Sequence, residues 1–307
     1  MIHPNRPQTT KAVAAHYDEL DPFYREVWGE HVHHGYWATG RESRAEAADA
    51  LVDLVADRLD LAPRQTVCDI GCGYGATARC LAERHGLHVT GVTVSAVQAA
   101  RGMARKPARG SVSIRRQDWL ANGFAAGSFD RAYAIESSEH MPDKARFFAE
   151  AFRVLKPGGR LAVCAWLARP RPRAWEVRHL LEPICREGRL AGMGDEADYR
   201  RLAGEAGFAV AAVEDLSRRV RRTWWVCARR FAWKLAADPR YARFLLDQGG
   251  GNRVFALTLL RLLVAYRTGS MRYCLMVFAK GAGRDVAGRD MPAPHLTTVV
   301  TPQGPSA

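Results

Sequence analysis

Residues 66–83 constrain this chain more than any other stretch. Thr66-Val-Cys-Asp-Ile70 reads as a buried strand, Gly71, Gly73 and Gly75 alternate directly after it, and Ala76-Thr-Ala-Arg-Cys-Leu-Ala-Glu83 reads as a helix. Glycine tolerates backbone angles that a Cβ forbids, so the main chain can turn close against a ligand. The turn also brings that ligand to a helix N-terminus, where unpaired N–H groups favour a carboxylate or phosphate. By itself such a turn fits dinucleotides and other adenosine ligands alike.

Strands and helices alternate on both sides of the turn. Leu87–Thr93 reads as a strand, Ser95–Arg105 as a helix, and Ser111–Arg115 and Ser128–Ile135 as strands. Asp143–Leu155 reads as a helix capped by Asp143, and Arg160–Trp166 as a strand after the Pro157-Gly-Gly turn. This order predicts an α/β fold with a doubly wound, mainly parallel sheet. Such sheets bind ligands beyond the carboxyl ends of their strands. Asp69, Thr93, Asp118 and Glu136 stand at or just past four of those ends.

Gly207–Val213 and Ser270–Ala279 read as two closing strands. Between them Leu216–Gly269 reads as a helical insertion, and Leu167–Ala197 as an irregular one, both expected over the carboxyl edge as a lid. The chain therefore divides into an N-terminal lid segment (1–40), a core (41–280) with a helical cap at about 216–269, and a loose tail (281–307) lacking hydrophobic periodicity.

Of 307 residues 48% are hydrophobic and 25% charged, an ordinary globular balance that leaves disorder expected only at the ends. No apolar run reaches about 18 residues, so no ordinary transmembrane helix is expected. The first seven residues lack the apolar core of a signal peptide. Seven cysteines without any C-x-x-C pair read as reduced thiols of a cytoplasmic protein, with no metal centre. The net charge of +13 fits nucleic acid, an anionic membrane surface or an acidic substrate, or simply a composition that uses Arg as its surface cation.

The acid Asp69 two positions before the alternating glycines resembles the first motif of class I methyltransferases, which use S-adenosylmethionine (SAM). That resemblance implies roles along the crevice. Asp69 would orient the loop or reach the amino-acid end of SAM, unless it merely caps the strand. Thr93 stands where most of these enzymes carry a ribose-binding acid, with Gln98 as a second contact. Asp118-Trp119 suits adenine, carboxylate to the exocyclic amine and indole on the ring; the alternative is a surface Asp and a core Trp. Glu136 would face the sulfonium. His140, titrating near neutrality, is the candidate base for an acceptor that must lose a proton, or else a satisfied structural histidine.

Trp28-Gly-Glu-His-Val-His-His-Gly-Tyr-Trp37 gathers three histidines and three aromatics. His31, His33 and His34 lack acid or Cys partners at helical spacing, so a metal site is a poor reading. A lid in which Tyr17, Tyr36 and Trp37 offer π-faces to a sulfonium fits better. Arg218-Arg-Val-Arg-Arg-Thr-Trp-Trp225 and Arg229-Arg-Phe-Ala-Trp-Lys234 mix cations with indoles, as an anionic membrane contact or as an amphipathic helix pair with its tryptophans inward.

Taken with Val27-Trp-Gly-Glu-His-Val-His-His-Gly-Tyr36, Thr93-Val-Ser-Ala-Val-Gln98, Ile135-Glu-Ser-Ser-Glu-His-Met-Pro142 and Arg153-Val-Leu-Lys-Pro-Gly-Gly-Arg160, the chain resembles the γ-tocopherol methyltransferase family from about residue 15 to 280. The resemblance implies a SAM-dependent enzyme acting on a lipophilic small molecule, often a ring carbon of a prenylated quinol. An O- or N-methyltransferase that tailors a bacterial natural product is the alternative, and a nucleic-acid partner is not expected. By the same resemblance Tyr17, His34, Gly35, Trp37, Asp69, Gly71, Gly73, Gly75, Thr93, Gln98, Asp118 and Trp119 would hold SAM, and Glu136 and His140 would line the point of transfer.

Overall fold

The computed structural model describes residues 1–246 and 255–282. Helices α1 (Thr10–Glu19), α2 (Asp21–Val27) and α3 (Arg44–Leu59) precede a core that alternates β1 (Thr66–Ile70), α4 (Ala76–His85), β2 (His88–Thr93), α5 (Ala96–Met103) and β3 (Ser111–Arg116). Then come β4 (Phe129–Ile135), α6 (Lys144–Val154) and β5 (Leu155–Ala168). The first insertion holds α7 (Ala174–Glu176), a π-turn (Val177–Leu181) and α8 (Glu182–Glu187). α9 (Glu196–Glu205) and β6 (Ala209–Asp215) follow, then α10 (Ser217–Val220), α11 (Arg222–Ala237), α12 (Pro239–Leu246), α13 (Phe255–Thr268) and β7 (Met271–Ala279).

The seven strands lie in the order β3-β2-β1-β4-β5-β7-β6. β1 to β5 are parallel, and β7 enters antiparallel between β5 and β6. The sequence-based expectation of a doubly wound, mainly parallel sheet holds. Strand order reverses between β1 and β4, and a ligand crevice opens at such a point.

Local chemistry sets the element ends. Ser43 and Glu46 close a reciprocal capping box on α3, Ser95 caps α5, and Asp143 accepts from Arg146 N at the start of α6. Gly86 ends α4 in the left-handed conformation at φ 65°. α3 buries Leu51, Val52, Val55 and Leu59 at helical spacing, joining Leu81 of α4 in one apolar cluster. Phe147 and Phe148 of α6, Tyr199 of α9 and Phe278 of β7 belong to a second cluster. Each fully buried Leu, Val or Phe contributes about 1.5–3 kcal/mol, so these two clusters hold the sheet rigid beneath the crevice.

Three expectations need correction. β5 begins at Leu155 and not at residue 160, because the Pro157-Gly-Gly stretch is an irregularity within the strand, opposite a register shift at Phe129/Arg131. The stretch 167–197 is largely helical. The N-terminus is pinned: Ile2 pairs with Met193, and the Met1 ammonium meets Asp198 at 3.2 Å. The expected tail, beyond residue 282, lies outside the described residues, as does part of the helical cap (247–254).

Candidate active site

The loops after β1 and β4 meet where strand order reverses. Gly71 takes φ +84°, its N–H and that of Cys72 both donate to Val92 O at 2.9 Å, and Ser137 Oγ donates to Ile70 O. A Cβ at Gly71 would collide with the Ser137 side chain, so only glycine lets the two loops close. At Gly73 (φ +54°) the missing Cβ instead leaves open space, with Gln98 Nε2 4.0 Å away. The main chain therefore borders a cleft of about 760 Å³ at the strand ends.

Tyr17, Gly71, Gly73, Thr93, Gln98, Asp118, Trp119, Glu136 and His140 all line this cleft. Thr93 Oγ1 donates to Gln98 Oε1 at 2.9 Å, so the two residues paired in the sequence reading act as one polar unit. Asp118 accepts from Leu120 N at 2.9 Å and from Thr10 Oγ1 at 2.8 Å. α1 lies over the opening and is tied to three strand-end loops. Thr10 bonds Asp118, Asp18 accepts from Ser95 Oγ and Val97 N, and Tyr17 bonds His140.

Asp69 faces a smaller adjoining cavity, shared with Gly71 and Gly73 and bordered by Glu30, His31, His33 and Thr77. Its Oδ2 is buried without a close hydrogen-bond partner among the described residues. Burial pushes the Asp69 carboxyl up to about 7, partly offset by Tyr133. An orphaned buried carboxylate is costly unless something cationic arrives to meet it. The chemistry of this corner fits a small cationic group such as the ammonium of an amino acid.

Glu136 has the opposite surroundings. It sits in the left-handed region at φ 54°, a conformation that costs a non-glycine residue about 1–3 kcal/mol. That turn sends its carboxylate into a ring of donors. Oε1 accepts from His34 N (2.6 Å), His34 Nδ1 (2.9 Å) and Tyr273 Oη (2.9 Å), and Oε2 accepts from Trp166 Nε1 (2.9 Å). Burial alone would raise this carboxyl, but His34 and the other donors outweigh it and hold it at about 2. Glu136 is thus a fixed anion that lines the cleft and not a proton acceptor.

His140 is oriented by its neighbours. The Arg189 carbonyl, 3.0 Å from Nδ1, can only accept, so Nδ1 carries the proton. Nε2 therefore accepts from the Tyr17 hydroxyl at 2.9 Å, and burial keeps Tyr17 protonated. Burial also lowers the His140 imidazole to about 4, so the ring is neutral at ordinary pH with one lone pair directed at Tyr17.

A second cavity, of about 670 Å³, lies on the other side of this pair, beneath the insertions. It is walled by Trp28, Trp166, Leu190, Trp224 and Leu262, with Glu139 among its polar members. Tyr17, Val32, Glu136 and His140 belong to both cavities and form the partition between them. Glu139 accepts from Trp166 N at 2.6 Å and from Ser138 Oγ at 3.1 Å, yet burial pushes its carboxyl up to about 7.

Several expected cofactor residues lie elsewhere. Gly35 and Trp37 are held away from the cleft by Thr223, whose hydroxyl accepts from Gly35 N (3.0 Å) and Trp37 Nε1 (2.9 Å). Tyr36 packs against the α3–α4 cluster. Gly75 serves as the N-cap of α4, and His34 is bonded to Glu136 and to the Tyr266 hydroxyl. Trp119 borders the cleft but sends its indole N–H into the core, to Phe147 O at 3.3 Å. Conversely, Thr10, Val13 and Gln117 line the cleft without having been singled out, and Gln117 Nε2 is buried and unpartnered among the described residues. Gln117 adjoins Asp118, and that adjacency was its only signal.

Comparison with known proteins agrees with this geometry. Residues 5–237 match the family described as mycolic acid cyclopropane synthetase. The tocopherol O-methyltransferase of Arabidopsis thaliana is 29% identical over 292 residues, covering 88% of this chain and 82% of its own. The 27-O-demethylrifamycin SV methyltransferase of Amycolatopsis mediterranei is 33% identical over 231 residues, covering 73% of this chain and 83% of its own. Among solved structures, the [4+2]-cyclase SpnF is 28% identical with a TM-score of 0.74, covering 92% of this chain and all of that one.

Proposed function

The chain belongs to the mycolic acid cyclopropane synthetase family, and from that premise we propose that this SAM-dependent methyltransferase acts on a lipophilic small molecule that carries a hydroxyl. We take a ring carbon of a prenylated quinol as the receiving atom, a reading supported by likeness to a 2-methyl-6-phytyl-1,4-hydroquinone methyltransferase of Synechocystis. The observation that carries the reading is the meeting of the strand-end cleft with a largely apolar cavity at Tyr17, Val32, Glu136 and His140.

SAM, when bound, supplies a methyl group already activated on a cationic sulfur. What the chain must add is alignment, which lowers such barriers by roughly 7–11 kcal/mol, and a proton acceptor. Asp69 and the Gly71–Gly73 main chain would hold the amino-acid end, Thr93 with Gln98 the ribose, and Asp118 with Gln117 the adenine. A hydroxyl bonded to the Tyr17 oxygen would pass its proton to Tyr17 as Tyr17's own proton moves to His140 Nε2. Nδ1–H remains on the Arg189 carbonyl throughout. The Glu136 anion, close by, favours the imidazolium that results.

Likeness to the rifamycin-modifying enzyme supports a second receiving atom, the hydroxyl oxygen itself, through the same proton relay. The seven cysteines, all free thiols, suit a reducing cytoplasm.

A mass-spectrometric screen with labelled SAM against lipophilic phenols, hydroxylated polyketides, sterols and amines tests the proposal. The expected result is release of S-adenosylhomocysteine with one methyl gained by a phenol or alcohol. Turnover of amines alone would overturn the hydroxyl reading. A product formed while SAM stays intact would align the chain instead with its cyclase relative.

A further inference from the structure

The basic charge of this protein is concentrated. Residues 216–269 contain twelve Lys or Arg and two Asp, which is ten of the thirteen net positive charges on less than a fifth of the chain. Within that segment α11 faces two ways. Thr223, Trp224, Cys227 and Phe231 are buried, and Trp224 walls the acceptor cavity. The opposite side carries Trp225, Arg229 and Trp233 at four-residue spacing, with the two indoles 57% and 66% exposed. α13 repeats the arrangement. Leu262 faces the cavity, while Leu257, Leu260, Val264 and Arg267 are exposed along one stripe.

Large apolar side chains left in water on neighbouring helices mark a contact surface. Indoles among arginines favour one partner in particular, because Trp seats at the lipid–water boundary and the cations meet anionic headgroups. Many cations of the segment are already committed: Lys234 and Arg240 pair with Glu26, and Arg261 pairs with Glu187. Arg218, Arg221, Arg229 and Arg267 form no ion pair among the described residues and remain for an external anion. No helix among the described residues is long and apolar enough to cross a membrane, so the contact lies on the surface.

We propose that the outer faces of α11 and α13 dock on an anionic lipid bilayer. Docking there sets the wall of the acceptor cavity against the membrane, the phase in which a lipophilic acceptor collects. The docking surface itself stands on exposure and charge and holds whichever acceptor is used.

Vesicle flotation of the full chain tests it, comparing phosphatidylcholine alone with an equimolar phosphatidylcholine–phosphatidylglycerol mixture. The protein should float with the mixture, stay behind with phosphatidylcholine, and be released by molar salt. R229Q/R267Q should weaken vesicle affinity about 25-fold, at about fivefold for each cation, and W225A/W233A should abolish flotation. SAM affinity by calorimetry should be unchanged in both variants, which separates loss of docking from misfolding and from failure of the methyltransferase reading. A parent protein that never floats, or variants that float as it does, overturns the proposal. So does a gel shift with RNA in the absence of flotation, or a dimer that W225A/W233A dissociates while vesicles go unbound.

Discussion

Glu136 and Glu139 are the same residue three positions apart, both buried, and their surroundings drive them in opposite directions. The Glu136 carboxylate receives four hydrogen bonds from His34, Tyr273 and Trp166 and is held at about 2. The Glu139 carboxyl receives Trp166 N, Ser138 Oγ and its own backbone N–H, with no charged donor bonded to it among the described residues, and burial carries it to about 7. Burial penalises charge at both sites, so the number and charge of the donors decide which wins. The partition is therefore a permanent anion toward the cofactor cleft, and the acceptor side holds a group that can change charge near neutrality. His140 stands between them, with one nitrogen fixed and the other open to proton exchange.

The largest effect should come from that middle position. A general base contributes about 10²–10⁴ in rate, so His140→Ala should lower kcat by that range on a hydroxyl acceptor and far less on an amine, with SAM affinity within a few-fold of the parent. Equal losses on both acceptors would remove the imidazole from proton transfer. Tyr17→Phe sharpens the point, since it interrupts the relay while leaving the imidazole in place. Glu136→Gln comes next. Removing one member of a buried charge cluster typically costs about 3–5 kcal/mol, and Gln also sets an N–H against the His34 or Trp166 donors. Urea titration within 1 kcal/mol of the parent would mean that the four bonds do not act as one clasp.

Glu139 should behave the other way. Its folded value of about 7 lies above the ordinary 4.5, so its stabilising contribution is complete below about 4.5 and is lost as pH rises through 7. At about 1.4 kcal/mol for each pH unit the loss amounts to about 3.5 kcal/mol. His140, lowered from 6.5 to about 4, has the opposite sign: its contribution is complete above 6.5 and lost as pH falls through 4. Glu139→Gln should thus flatten the decline in stability between pH 5 and 8 and leave the acid limb unchanged. A variant whose curve parallels the parent across that range would show that Glu139 ionises without cost.

The same contrast explains what could be read from the sequence. The glycine turn, the seven strands and the cap at Asp143 depend chiefly on residues within a few positions of one another, and all of them are legible in the sequence. The clasp depends on residues 34, 136, 166 and 273, which only the folded sheet brings together, so the sequence shows Glu136 at a strand end without its donors. Burial likewise hid Glu139, although it lies inside a run already singled out. At Trp119 the sequence leaves an adenine platform and a core residue both open, because it does not show the Phe147 carbonyl that anchors the indole N–H at the edge of the cleft. In 174–187, Pro183 interrupts the helical pattern. The structure accommodates it at the start of α8 after a π-turn, where its missing N–H costs little.

The smallest predicted effect tests whether the cofactor side contains a titrating group of its own. Asp69 is pushed by burial to about 7, with one oxygen unpartnered among the described residues. If that oxygen meets the ammonium of SAM, binding favours the ionised carboxylate, and below about pH 7 the proton must leave before the pair can form. SAM affinity should then fall up to tenfold for each pH unit below 7 and level off above it, with about one proton released on binding near pH 6. Calorimetry in buffers of different ionisation enthalpy counts that proton directly. Asp69→Asn should bind more weakly and lose most of the pH dependence between 5 and 7; of the histidines bordering that cavity, burial holds His31 at about 3 and lowers His33. A pH-independent parent would mean that Asp69 serves the turn alone and that the ammonium is met by the loop's main chain.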